Sequence, residues 1–295
     1  RPLLQNTVFL QGNNVVDSVR VEGHTQGANV SIIVGPILTA QPGIEVQAAA
    51  TGYVIISNSS ITSSNTNSAR AAVAVDNFSN ANVDVRNSTM TATNTEATFE
   101  ARGIDNEGAT MTVNDNSTIS ATSTGGRAYG AMNIPAAAGL LTINDSTITA
   151  TTTNGELATG VESNTGTLTV NNSTIRVTGT NDTATDTAVT AGSTGAGAVI
   201  VNNSTVSLTT TGATAVRGLD NEGDGITFTN SALTVSAGAT DATGIYNNGT
   251  SITLTDSTVT VTGGGGSQAS FESGAGIITS TGTTCRVNGA TVSCT

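Results

Sequence analysis

Carboxylates carry most of the chemistry open to this chain. The densest group is Asp220-Asn221-Glu222-Gly223-Asp224. It echoes Asp105-Asn106-Glu107-Gly108 within a shared heptapeptide, Arg-Gly-(Ile/Leu)-Asp-Asn-Glu-Gly, at Arg102–Gly108 and Arg217–Gly223. Two carboxylates at a defined separation across a sugar can hydrolyse a glycosidic bond, and oxygen-rich loops can hold Ca²⁺. Asp220, Glu222 and Asp224 are therefore the metal candidates, although the glycine-rich nonapeptide of calcium-binding repeats is missing.

Other reactive sets are thin. His24, the single histidine, lies in an irregular N-terminal stretch, which argues against a Ser-His-Asp arrangement or a multi-histidine metal site. There is no lysine for Schiff-base or lysine-base chemistry. No long loop interrupts the pattern described next to build an enzyme's cleft. The acidic stretches read as solvated turns, and the expectation is a chain that is not an enzyme, with no catalytic residue and no cofactor.

What positions these residues is a repeat. Asn/Asp-Ser-Thr-apolar recurs with its apolar residue at Ile61, Met90, Ile119, Ile148, Ile175, Val206, Leu233, Val259 and, more distantly, Val292. The gaps are 29, 29, 29, 27, 31, 27, 26 and 33 residues. A fixed period in this range marks stacked supersecondary units. Each unit holds three short segments. The first ends in Gly-apolar-x-Asn, as at Gly103–Asn106 and Gly244–Asn247. The second alternates, as in Leu141-x-Ile143 and Val199-x-Val201. The third starts at the Ser-Thr signature and alternates again, as in Ile148–Thr151. Alternation bounded by Gly and Asn/Asp reads as strands with one buried face. Three strands with turns too short for a helix predict an all-β, right-handed, three-stranded parallel β-helix of about nine to ten coils of about 29 residues.

The corner before the third strand falls at Asn58, Asn87, Asn116, Asp145, Asn172, Asn203, Asn230 and Asp256. Asn and Asp tolerate left-handed backbone, and stacked amides can bond along the rod as a ladder. Residues 1–42 fit the repeat poorly and read as an irregular N-terminal cap or degenerate coil; 43–295 read as the β-helix. Cys285 and Cys294, the only cysteines, form an isolated pair that points to a disulfide and an extracytoplasmic setting. Aligning Cys285-Arg286-Val287 with Leu168-Thr169-Val170 sets Cys285 on a second strand and Cys294 on the third, where Val177 falls. The competing reading is a hairpin at Asn288-Gly289 that pairs Cys285 with Val292.

Composition narrows the partners. A net charge of −12 with nine basic residues argues against nucleic acid and polybasic membrane contact. No apolar run is long enough to span a bilayer, so no membrane insertion of this chain is expected. The opening Arg1-Pro2 without Met reads as a mature extracellular or cell-surface form whose signal segment has been removed. Outward Thr-x-Thr positions on the third strand, such as Thr149 and Thr151, resemble the face of β-solenoid ice-binding proteins.

Segments such as Gly244–Val259 resemble the repeats of bacterial autotransporter passengers and polymorphic outer-membrane proteins, over roughly residues 43–295. The resemblance implies export to the cell surface, with adhesion or aggregation. The expected function is a non-enzymatic surface or extracellular rod, an adhesin-like stalk or a filament subunit. Expected partners are a homopolymer formed by head-to-tail coil stacking, or a host or neighbouring-cell surface or glycan. The alternative is an ice-binding protein using the Thr face, or a polysaccharide-binding or -cleaving β-helix.

Overall fold

The computed structural model describes residues 19–21, 29–32, 37–39, 43–46, 53–65, 71–135, 139–192, 195–213, 215–238, 241–263 and 269–294, the first three segments by backbone pairing alone. The chain is a right-handed parallel β-helix without α-helix among these residues. Every third strand falls in the same sheet, giving sheets of 10, 10 and 11 strands. Eight turns, from Ile44–Val46 to Thr258–Thr262, form the regular body. The short strands Val19–Val21, Asn29–Ile32 and Ile37–Thr39 add in parallel at one end, inside the segment 1–42. His24 lies outside the described residues.

The recurring Asn-Ser-Thr has a residue-by-residue cause. All eight corner residues have positive φ, from 44° at Asn87 to 59° at Asn116, a region that Asn and Asp enter with less strain than other side chains. The next residue, Ser, turns its hydroxyl inward. Ser173 Oγ donates to the Asn171 carbonyl (2.7 Å) and accepts the N–H of Ser146 from the preceding turn (3.0 Å). The same pair of bonds recurs at Ser88, Ser204, Ser231 and Ser257. The Thr that follows donates its N–H to the Ser carbonyl one turn back, as Thr174 does to Ser146 (2.9 Å). One tripeptide thus sets the bend, satisfies its buried amides and starts the strand.

The expected amide ladder is partly at the corner and partly elsewhere. Asn87 Nδ2 donates to Asn58 Oδ1 (2.7 Å). Longer runs link Asn202, Asn171, Asn144 and Asn114 at the ends of second-sheet strands. Others are fully buried at the ends of first-sheet strands, from Asn77 through Asn106 to Asn133 and from Asn221 to Asn247.

The C-terminus corrects the sequence reading. Cys285 pairs in register with Val259, so it stands on a third-sheet strand and not on a second-sheet one. The chain then reverses at Asn288-Gly289, both at positive φ (48° and 83°), and Ala290–Val292 runs back antiparallel with Cys285 opposite Val292. The hairpin forms because Asn-Gly accepts the left-handed pair of conformations that a two-residue hairpin turn requires. The disulfide forms on this hairpin, Cys285 to Cys294 with Cα atoms 5.4 Å apart. Hairpin and disulfide therefore coexist, and Val292 leaves the series of repeat positions.

Replacing Ser173 by Ala should lower the unfolding free energy by ~1–3 kcal/mol, because the buried Ser146 N–H loses its acceptor. Ser173→Thr should cost much less, since Thr283 fills the same role for Ser257. Denaturant unfolding of both variants is the check; equal losses would contradict the ladder.

Candidate functional site

The first sheet bends, and outer side chains on either side of the bend come together. In a straight strand residues i and i+3 point to opposite faces. Here Arg102 pairs with Asp105 and Arg217 with Asp220 (3.0 Å), both three apart and on the same side. The intervening residue explains how. At Gly103 two successive residues face inward, as Ala74 and Val75 do one turn earlier. A Cβ at Gly103 would stand 2.6 Å from the Gly130 carbonyl oxygen, so the approach in this turn needs glycine, while Ala74 and Ala188 hold the same position in other turns. Side chains flanking the bend lean together over a trough. Val73, Tyr129 and Met132 are buried in it, yet they stand apart from the core cluster.

Strand register arranges the trough in two rows. One reads Val73, Arg102, Tyr129, Thr159, Thr187, Arg217, Thr243. The other reads Asp76, Asp105, Met132, Glu162, Thr190, Asp220, Tyr246. The two heptapeptides seen in the sequence thus sit in identical columns, four turns apart. Between them lies a cavity of about 360 Å³ lined by Tyr129, Thr159, Glu162, Thr187, Thr190 and Asp220, among others. A charge network borders it, in which Arg127 joins Glu156 and Glu100, and Glu100 joins Arg102.

Burial dominates the electrostatics. Desolvation pushes Asp76 up to about 9, with the neighbouring Asp105 and Glu107 charges adding to it. Burial raises Asp105 and Asp220 as well, against the opposing pull of Arg102 and Arg217. Glu156 moves down through its hydrogen bond to Arg127. One carboxylate oxygen on each of Asp76, Asp105 and Asp220 is buried without a hydrogen-bond partner.

The metal candidates fall around an internal cation. Arg217 lies 3.0 Å from Asp220 and 3.8 Å from Glu222, stacked 3.7 Å above the Tyr246 ring. Asp224 occupies the following turn, its N–H bonded to the Gly197 carbonyl. Among the described residues no three His, Cys, Asp or Glu side chains group closely enough to hold a metal ion.

A second acidic feature escaped sequence reading. Asp182 and Asp186, 3% and 0% exposed, lie together beneath Gly179, which has no side chain to fill the interior there. Thr152 and the Gly155 N–H bond Asp182; the Ala158 N–H and Thr210 bond Asp186. Burial, with Asp182 alongside, pushes Asp186 up to about 7. The signal was present as Gly at an interior position held by Asn65, Asn94, Ser123, Thr152 and Thr210 in other turns.

The third sheet carries the Thr face as expected. Thr62, Thr91, Thr149, Thr234 and Thr260 share one outward column, interrupted by Ser120, Arg176 and Ser207. Compared with known protein families, curated proteins and solved structures, the chain matches none.

The raised carboxylates fix the sign of the pH dependence. Their folded pKa exceeds the unfolded value of 3.8, so their stabilising contribution is full below it and is lost as pH rises through about 7 for Asp186 and about 9 for Asp76. The melting temperature should therefore fall between about pH 5 and pH 9, and Asp76→Asn should flatten the part above about pH 7. A melting temperature that rises over this range would contradict the burial of these groups.

Proposed function

We propose that the chain is a non-enzymatic extracellular or cell-surface rod, an adhesin-like stalk that holds a binding face away from its point of attachment. The observation that carries this reading is the periodicity: Asn/Asp corners and the Ser hydroxyl relay recur between Ser59 and Thr283, with one extra residue at the corner Asn114-Asp115-Asn116-Ser117 and no long excursion among the described residues. Such a body suits spacing and display, because each turn contacts only its neighbours and stiffness grows from repetition. Two further facts support it. The disulfide Cys285–Cys294 fits an oxidising environment, and among the described residues no helix is long and apolar enough to cross a membrane. The resemblance to autotransporter passengers and polymorphic outer-membrane proteins points the same way, towards a cell surface or glycan as partner.

Self-assembly by head-to-tail stacking is the second reading, and one observation weighs on each side. The strands Ala269–Ser273 and Ile277–Thr281 end the first and second sheets with only one neighbour each, and unpaired edges recruit other strands. The third sheet ends in the antiparallel hairpin strand Ala290–Val292, which obstructs continued parallel stacking.

Negative-stain microscopy of the full chain at high concentration should show separate short rods, and filaments would favour the subunit reading. The same preparation should release no reducing sugar from a polysaccharide panel. It should also show no thermal hysteresis, because Arg176 stands in the middle of the Thr column. Activity lost on Asp220→Asn, or hysteresis lost on Thr149→Tyr, would replace the scaffold reading with the matching alternative.

A further inference from the structure

Asp186 stands where other turns of the rod keep apolar core. Register sets it in one column with Ala128, Ala158, Val216 and Ala242, all buried. A carboxyl group loses its hydration there, so specific bonds must replace it. The Ala158 N–H donates to its Oδ1 and the Thr210 hydroxyl to its Oδ2, each at 2.8 Å. Asp182 lies in the corner between the strands Thr174–Thr180 and Thr185–Ala191 and is held in the same way. The Gly155 N–H donates to its Oδ1 (3.0 Å) and the Thr152 hydroxyl to its Oδ2. Both Oδ2 atoms crowd the space left by Gly179, 1.9 Å (Asp186) and 2.8 Å (Asp182) from where a Cβ would stand.

Two carboxyl groups side by side in a dry interior cannot both ionise, so the pair keeps a proton. That proton makes the hydrogen bond between them. No cation stands in for it. The charged side chains on the elements packed around the pair are Glu156, Glu162, Arg176, Arg217 and Asp220. Arg176 belongs to the outer Thr column, Glu162, Arg217 and Asp220 to the outer trough, and Glu156 is joined to Arg127. Asp182 is the neighbouring charge that acts on Asp186, and burial with this charge holds Asp186 up at about 7. Three turns before Gly179 a neutral residue does comparable work: Asn94 takes the Glu96 N–H (3.1 Å) and donates to the Glu96 carbonyl (3.0 Å). An amide is thus enough to close a corner of this rod. The carboxyl pair adds a response to pH that Asn94 does not have.

The corner hangs on few other bonds. Thr183 and Ala184 donate their N–H groups to the carbonyls of Gly155 and Glu156 (3.1 and 2.8 Å). Ala184 and Thr185 in turn line the trough cavity of about 360 Å³. We propose that the pair is a proton-operated latch: while the carboxyls share a proton the corner 181–184 stays closed, and when the proton leaves, Asp182 swings out to water and frees the cavity wall at Ala184 and Thr185. Asp182 is the mobile partner because it lies in the corner, whereas Asp186 belongs to a strand paired on both sides. The latch goes beyond the scaffold role and is independent of it, since a rod with a fixed corner would remain a rod.

Opening returns Asp186 towards its ordinary value of 3.8, so opening becomes more favourable as pH rises from there to about 7 and levels off above. Amide hydrogen exchange of the full chain, corrected for the intrinsic effect of pH, reads this directly. Between about pH 5 and about pH 8 the protection of the Ala158, Thr183 and Ala184 amides should fall at least ~tenfold more than that of Ala232 and Thr258, at corners of later turns. Asp186→Asn, whose amide can donate to Asp182 at any pH, should abolish the difference, and Asp182→Asn should do the same from the other side. In the unmodified protein, infrared spectroscopy should show a protonated-carboxyl band lost as pH rises through about 7, and this component should be missing from both variants. An equal fall at Ala232 and Thr258, an undiminished difference in both variants, or no protonated carboxyl lost in this range would overturn the proposal.

Discussion

The structure depends on parallel pairing of each turn with the next. Every backbone N–H and C=O buried in a strand needs a partner, and here, outside the C-terminal hairpin, the partner lies on the equivalent strand one turn away. That requirement ties the cross-section of all turns together, because an extra residue in one strand would break the register of both neighbours. Corners are where such a rod is weakest, since the chain must bend while its amides stay satisfied. Asn or Asp in the left-handed conformation makes the bend, and the following Ser hydroxyl bridges two turns. The core then needs little size. Small and β-branched residues such as Ala121, Ile148 and Val177 stack in rows, and no Trp is required.

Sites arise where a row is interrupted. Gly179 breaks an interior polar row, and the carboxylates of Asp182 and Asp186 occupy the vacated space, bonded by hydroxyls and amides of neighbouring turns. Thr159 and Thr187 break an outer row of long side chains, and a cavity appears between two ion-paired ends. The bend of the first sheet, with Gly or Ala at the turning position, brings these outer rows together. Structure and function draw on one device: periodicity sets the default residue at each position, and departures from it create local chemistry.

This also explains what could be read in the sequence. Corner residues were legible because few side chains accept positive φ, so the type itself reports the conformation. The strands were legible through alternation. The C-terminal register was not, because Cys285-x-Val287 alternates equally well on a second or a third strand. The discriminating signal was the corner: Thr281-Gly282-Thr283-Thr284-Cys285 repeats Thr255-Asp256-Ser257-Thr258-Val259, with Gly282 (φ 64°) in place of Asp. The heptapeptides were visible, but the trough between them was not. Thr159 precedes Gly160-Val161-Glu162-Ser163, a copy of the first-strand motif, as Arg102 and Arg217 precede theirs, but Thr187 precedes Ala188 and only register places it in the same row.

The most direct test of the account is amide hydrogen exchange at residue resolution. If the serine relay carries the corners, the N–H groups of Ser59, Ser88, Ser146, Ser173, Ser204 and Ser231 should be protected as strongly as the strand amides beside them. Corner serines that exchange as fast as open loops, while the strands stay protected, would show that the turns are held together by the sheets alone and would contradict the central claim.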